Sequence, residues 1–203
     1  FATKINDKDF SGSFLVAKNG QILYENYSGC SNYKTKELID ENTPLHLASV
    51  SKVLTAQAVL MLVKDGKLAL DQTFKSLFPE FPHEKTTIRM LLNHRSGLGH
   101  YGYFADHKEN WDRRNTLTNK DILDILATKD IPLEYQIDKK FSYCNTNYAM
   151  LALIIEKVTG LKYPEAMKEM IFAPLGMTDT FVFDIAKDRD IIAPSYKGNN
   201  VEI

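Results

Sequence analysis

From Val50 to Lys64 the sequence places Val53, Leu54, Ala56, Val59, Leu60, Leu62 and Val63 at helical spacing, with Gly66 just past the end as a stop. Apolar side chains cover most of the surface of such a helix, so it is expected to be buried. Burying it takes a fold of some size. A chain of 203 residues, 44% hydrophobic and 25% charged, supplies one sizeable core or two small ones. That composition is globular rather than disordered.

Ahead of this helix, residues 13–27 read as a β-hairpin. Phe14 and Val16, then Ile22 and Tyr24, alternate with smaller or polar positions, and Asn19-Gly20 between them is the favoured two-residue turn. A polar loop through Thr43-Pro44 leads into the helix. From Ile88 onward helical signals dominate: Ile88 to Leu92, then Ile122 to Ala127 opened by Thr118 or Asn119, then Asn147 to Val158 closed by Gly160. A fourth starts at Pro164 and ends near Ala173-Pro174. His100 to Asn115, rich in aromatic and charged residues without a period, reads as a surface loop. The chain opens in sheet and continues as a helical lobe, with no repeat and no low-complexity tract.

Charge narrows the partners. Lys and Arg total 25 against 26 Asp and Glu, with no long run of either sign, so no basic face for nucleic acid or anionic membrane is expected. The longest apolar stretches, such as residues 149–155, fall far short of the roughly 20 residues of a membrane span. A small molecule or peptide remains as partner. The chain starts at Phe1 without a charged-then-apolar leader, so a signal peptide is expected to have been removed or to lie outside this sequence. Cys30 and Cys144 match no metal or redox spacing and read as two unpaired buried thiols. The five histidines (46, 83, 94, 100 and 107) show neither HxxxH nor HExxH, so no metal and no cofactor is expected.

The tetrapeptide Ser49-Val50-Ser51-Lys52 fits S-x-x-K, a nucleophile box of acyl-transfer enzymes. With ten Ser and 20 Lys among 203 residues, about one match arises by chance, and Ser31-Asn32-Tyr33-Lys34 also fits. Context separates them. Ser49 lies where an extended segment, Leu45 to Ala48, enters the apolar helix, so residues 49 and 52 stand on one helical face with side chains in reach. A serine in the first turn also sits at the positive end of the helix dipole, which stabilises a developing oxyanion. On this reading Lys52 takes the serine proton. The alternative is a helix N-cap, with Ser49 or Ser51 accepting an amide hydrogen bond and Lys52 in solvent.

A second box, Tyr143-Cys144-Asn145, fits Y-x-N just before the helix expected from Asn147, and its decoy, Tyr24-Glu25-Asn26, falls in the second strand. A tyrosine at a helix start can have its pKa lowered by a nearby lysine and so relay a proton to a leaving group. Asn145 can bond a substrate amide with both donor and acceptor. The alternative is an aromatic core anchor followed by an Asn cap.

The stretches Leu47-Ala48-Ser49-Val50-Ser51-Lys52, Asp65-Gly66-Lys67-Leu68 with Leu70-Asp71, Leu91-Leu92-Asn93-His94-Arg95-Ser96-Gly97-Leu98, Tyr143-Cys144-Asn145 and Pro174-Leu175-Gly176-Met177-Thr178-Asp179-Thr180 come in order over nearly the whole chain. Together they resemble the class C β-lactamase family, which also contains D-alanyl-D-alanine carboxypeptidases and esterases. The resemblance implies an α+β fold of two lobes, an antiparallel sheet packed by helices and an all-helical lobe, with the site in the cleft between them. Residues 1–203 would form one incomplete domain. In it, 1–80 hold the hairpin and nucleophile helix, 81–185 the helical lobe, and 186–203 the start of the return to the sheet. The resemblance further implies that Ser49 is acylated, that Lys52 activates it, and that Tyr143 and Asn145 line the pocket. The Ser49 main-chain amide would form half of an oxyanion hole. An extracytoplasmic location, periplasmic or secreted, is implied as well.

A Lys-Thr-Gly or His-x-Gly box on a C-terminal strand is the family's third, and residues near the end of the chain do not supply it. The expectation is a chain that stops short, leaving a sheet edge and core surface for a second chain or a further segment to complete. Three functional readings follow. The first is a serine hydrolase acting through an acyl-Ser49 on peptide, β-lactam or ester. The second is a non-catalytic relative or fragment binding peptides or a partner chain through the same cleft. The third, a Ser-His-Asp hydrolase using His94 or His100, lacks a G-x-S-x-G elbow, and His94 is better read as bracing its loop. Cys144, where the family more often has Ser or another small residue, is expected to make the site sensitive to thiol reagents.

Overall fold

The computed structural model describes residues 10–196, which divide into two compact units: Ser49–Val182, and residues 10–48 with 183–196. In the second of these, β1 (Gly12–Lys18) and β2 (Gln21–Ser28) form the expected antiparallel hairpin. Asn19 and Gly20 take φ of 51° and 76°, the backbone a type I′ turn demands and Asn-Gly adopts at least cost. A bulge after Val16 leaves Leu23 as the extra residue. β3 (Cys30–Asn32) and β4 (Glu37–Leu38) make a separate antiparallel pair. Residues 183–196 belong to the same unit. Tyr196 meets Tyr33 edge-on at 4.9 Å, and the Ala193 N–H donates to the Pro44 carbonyl at 3.1 Å.

The helices lie in Ser49–Val182: α1 (Ser51–Lys64), α2 (Ile88–Leu92), α3 (Tyr101–Phe104), α4 (Asn119–Thr128), α5 (Asn145–Thr159) and α6 (Tyr163–Met167). A π-helical turn over Lys168–Phe172 continues α6. The centre of this unit is α5, on which α1, α2, α4 and α6 all pack. Met150, Leu151, Ile154 and Ile155 on it are fully buried, which is why its sequence is apolar on every side. In the same core, Phe74 stacks on Phe78 and meets Phe81 edge-on, with ring centres 4.7 and 4.6 Å apart.

Local signals set these bounds. Thr118 caps α4 in a reciprocal capping box with Asp121. Gly160, at φ 74°, ends α5, which starts two residues before the expected Asn147. Pro164 sits in the first turn of α6, which opens one residue earlier than expected. No helix among the described residues is long and apolar enough to cross a membrane.

Two expectations are corrected. Helix α1 is buried on one side only: Thr55, Ala58, Val59 and Leu62 are buried, while Val53 is 68% exposed and Leu60 44%. A helix with apolar residues around most of its surface gives little sequence contrast between the side that finds a partner and the side that does not. The stretch from His100 to Asn115 is not wholly loop, because α3 lies within it and buries Phe104. The Asn110 Nδ2–H group closes that turn by donating to the Phe104 carbonyl at 2.8 Å.

Candidate active site

Ser49 is the middle residue of a 3-10 turn, Ala48–Val50, that runs into α1. It therefore precedes the first α-helical turn rather than lying within it. Ala48 takes φ 45°, an uncommon backbone for a residue with a side chain, at the junction into this turn. Lys52 follows on α1, and its Nζ donates to Ser49 Oγ at 3.1 Å. Tyr143 Oη approaches the same oxygen at 2.6 Å. The N-cap of α1 is Val50, with no side-chain cap bond, so capping does not explain Ser49.

Tyr143 lies in the extended segment before α5 and is 48% exposed, which removes the core-anchor reading. The Lys52 side chain foremost, then the Ser49 hydroxyl, holds its phenol below the ordinary tyrosine range. The Lys52 Nζ also stands 5.1 Å from the centre of the Tyr143 ring and 5.7 Å from that of Tyr148. Three groups read from the sequence thus come together: Ser49, Lys52 and Tyr143. Asn145 is the first residue of α5 and not its cap, which is Cys144. Its Oδ1 is buried without a hydrogen-bond partner, at a cost of about 1–3 kcal/mol until a donor reaches it.

The decoy boxes have other local roles. Ser31 lies in β3, where its hydroxyl bonds the Leu38 carbonyl, and Tyr24 lies in β2. The tripeptide His100-Tyr101-Gly102 spells His-x-Gly, but it opens α3, with His100 Nδ1 accepting the Gly102 N–H at 3.0 Å. Among the described residues no histidine side chain bonds Ser49, so the Ser-His-Asp reading has no geometric support.

The stretch from His94 to Leu98, part of the family resemblance and with His94 read as bracing its loop, packs next to the Tyr143 segment. The loop 94–98 runs beside residues 134–142: Glu134 N–H donates to Gly97 O, Asp138 N–H to Arg95 O, and Ser142 N–H to His94 O at 2.9, 2.8 and 2.8 Å. Gly97, at φ 77°, permits this approach, since a Cβ there would run into the Tyr135 carbonyl oxygen. Inside, Ser96 Oγ donates to Asn147 Oδ1 at 2.6 Å, and Asn147 Nδ2 meets His94 Nδ1 at 3.2 Å. Thr146 Oγ1 donates to Gly99 O at 2.7 Å and accepts the Tyr101 N–H. The available signal was a run of polar residues, Asn145-Thr146-Asn147, at the start of a mostly apolar helix; buried polar groups need partners, and Thr146 and Asn147 find theirs in the 94–101 loop.

Cys30 and Cys144 are both free thiols, Cys144 buried and Cys30 only half-buried. Burial raises the Cys144 pKa, and its Sγ points to the Gly99 carbonyl at 3.4 Å. The expected sensitivity of the site to thiol reagents is corrected accordingly: Cys144 is sealed and largely in its unreactive thiol form.

The Beta-lactamase family profile matches residues 6–202. A penicillin-binding protein of Bacillus subtilis is 36% identical over 185 residues, covering 91% of this chain and 40% of the relative. An esterase of Burkholderia gladioli, EstB, is 31% identical over 178 residues, 81% of this chain and 45% of its own. The crystal structure of a penicillin-binding protein from Bacillus halodurans superposes with a TM-score of 0.81 at 24% identity, over 98% of this chain and 63% of that one. That likeness shows the fold, α+β of the β-lactamase and transpeptidase type. The chain spans less than half the length of the two curated relatives. With nearly all of its length matched, the chain belongs to the Beta-lactamase family.

Proposed function

We propose that this domain performs acyl transfer through Ser49, on peptide, β-lactam or ester substrates. The reading is carried by one observation: the exposed Ser49 Oγ lies between Lys52 Nζ at 3.1 Å and Tyr143 Oη at 2.6 Å. As Oγ attacks the substrate carbonyl, its proton passes to the Lys52–Tyr143 pair, with Lys52 as the general base. Tyr143 then delivers a proton to the leaving nitrogen or oxygen as the carbonyl–leaving-group bond breaks. The product is an ester on Ser49. Water attacks that ester, its proton returns through the same pair, and Oγ is reprotonated as the acid leaves. The main-chain amide of Ser49 supplies one oxyanion donor, and Asn145 bonds a substrate amide.

The named relatives, a penicillin-binding protein and an esterase, favour a peptidase or broad hydrolase over a dedicated antibiotic-degrading enzyme. Peptidoglycan stem peptides lie outside the inner membrane, so an extracytoplasmic location is part of this proposal.

The test is the intact mass of the full-length protein before and after incubation with benzylpenicillin, repeated with a p-nitrophenyl ester, followed by peptide mapping. Opening of a β-lactam ring expels nothing, so the expected gain is one whole penicillin, mapped to Ser49 and absent in Ser49→Ala. Ester hydrolysis that survives Ser49→Ala, or an adduct elsewhere, overturns the reading.

A further inference from the structure

His94 lies outside the Ser49, Lys52 and Tyr143 group, yet it grips Tyr143 from three sides. Its carbonyl accepts the Ser142 N–H at 2.8 Å and its Nδ1 accepts the Cys144 N–H at 3.1 Å, so one residue holds the amides on both flanks of Tyr143. Its ring packs on the Tyr143 ring at 4.7 Å and on that of Tyr148 at 5.2 Å. The backbone of His94 is left-handed, φ 58°, a conformation that persists where surrounding contacts over-determine it.

The tautomer follows from these bonds. A backbone N–H only donates, so Nδ1 is an acceptor and the ring proton sits on Nε2. The second partner agrees. Leu98 N–H donates to Ser96 Oγ, Ser96 Oγ–H to Asn147 Oδ1, and Asn147 Nδ2–H to His94 Nδ1. A proton on Nδ1 would face two donors with no acceptor, and the Cys144 bond would break.

We propose that neutral His94 is the positioning residue for Tyr143, and that its protonation releases Tyr143 from Ser49, adding its own step to the acid limb that the Lys52–Tyr143 pair imposes. The groups that face the ring are Lys52 from α1, Tyr148 and Asn147 from α5, and Phe141, Tyr143 and Cys144 from the segment before α5. Burial first, and the Lys52 charge second, push the His94 pKa below the ordinary histidine value. Both favour the neutral form that the hydrogen bonds require.

This inference rests on the acyl-transfer reading for its activity test but not for its structural one. The full-length wild type, His94→Asn and His94→Ala are compared for acylation rate by a p-nitrophenyl ester from pH 4 to 8, and the imidazole nitrogens are followed by NMR over the same range. Asparagine tolerates the left-handed backbone and offers a carbonyl oxygen to the Cys144 N–H without titrating. The expected result is a step in the wild-type acid limb that coincides with the His94 titration and is absent in His94→Asn, where only the limb of the Lys52–Tyr143 pair remains. In His94→Ala, acylation falls about 100-fold with little change in KM, from loss of alignment alone. An unchanged acid limb in His94→Asn, or an Nδ1–H tautomer at neutral pH, overturns the proposal even if His94→Ala does not fold. If wild type forms no Ser49 ester, the functional reading fails, and the tautomer still decides this one.

Discussion

Tyr143 Oη stands 2.6 Å from Ser49 Oγ, and the two residues are 94 positions apart in sequence. Their meeting depends on α1 packing against α5, since Ser49 leads into one helix and Tyr143 into the other. Tyr143→Phe removes only the hydroxyl from a half-exposed ring. We expect the fold to be retained by circular dichroism while Ser49 acylation falls about 10²- to 10⁴-fold, the range of one proton-transfer group. An unchanged rate would exclude Tyr143 from the chemistry.

The approach of loop 94–98 to residues 134–142 requires the bare backbone of Gly97. Gly97→Ala introduces both a left-handed alanine and a clash with the Tyr135 carbonyl. A loss of about 2–4 kcal/mol is expected in urea unfolding, and a variant as stable as wild type would show that the loop can move aside.

Helix α1 offers a test of its two sides. Leu62→Ala, 1% exposed, should cost about 2–5 kcal/mol. Val53→Ala, on the exposed side, should change stability by less than about 0.5 kcal/mol. Equal losses in the two variants would mean that Val53 is covered in solution.

At the start of α4, Thr118→Ala removes the hydroxyl that accepts the Asp121 N–H and the partner of the Asp121 carboxylate. The expected cost is about 1 kcal/mol by denaturant midpoint, with no effect on acylation.

The two thiols should separate in reactivity. Cys30, half-buried, should react with an aromatic disulfide reagent well before Cys144, whose burial also raises its pKa. Peptide mapping after a short exposure distinguishes them, and early modification of Cys144 would contradict the packing around Gly99.

Elements with strong local chemistry were legible in the sequence. Asn19-Gly20 gives the hairpin turn, Thr118, one of the two expected openers, the start of α4, and Gly160 the end of α5. The residues of α3 were not, because that single turn is held by His100 Nδ1 and Asn110 Nδ2, partners that no periodicity reveals. Ser49, Lys52 and Tyr143, which the structure brings together, could be picked out because the proposed chemistry needs particular residue types at a particular spacing. Ser96 and Asn147 could not, since what matters for them is a bond across 51 positions.

The hydrogen bonds from Leu98 through Ser96 and Asn147 to His94 all point one way. Each link donates forward because the one behind it donates to it, so no member can be exchanged for a side chain of opposite polarity while the others stay as they are. Ser96→Ala would strand the Asn147 carbonyl, and Asn147→Asp would place a second acceptor against His94 Nδ1. The three positions are therefore coupled through the direction of the chain: a replacement at one of them fits only if it presents the same donor or acceptor to its neighbours.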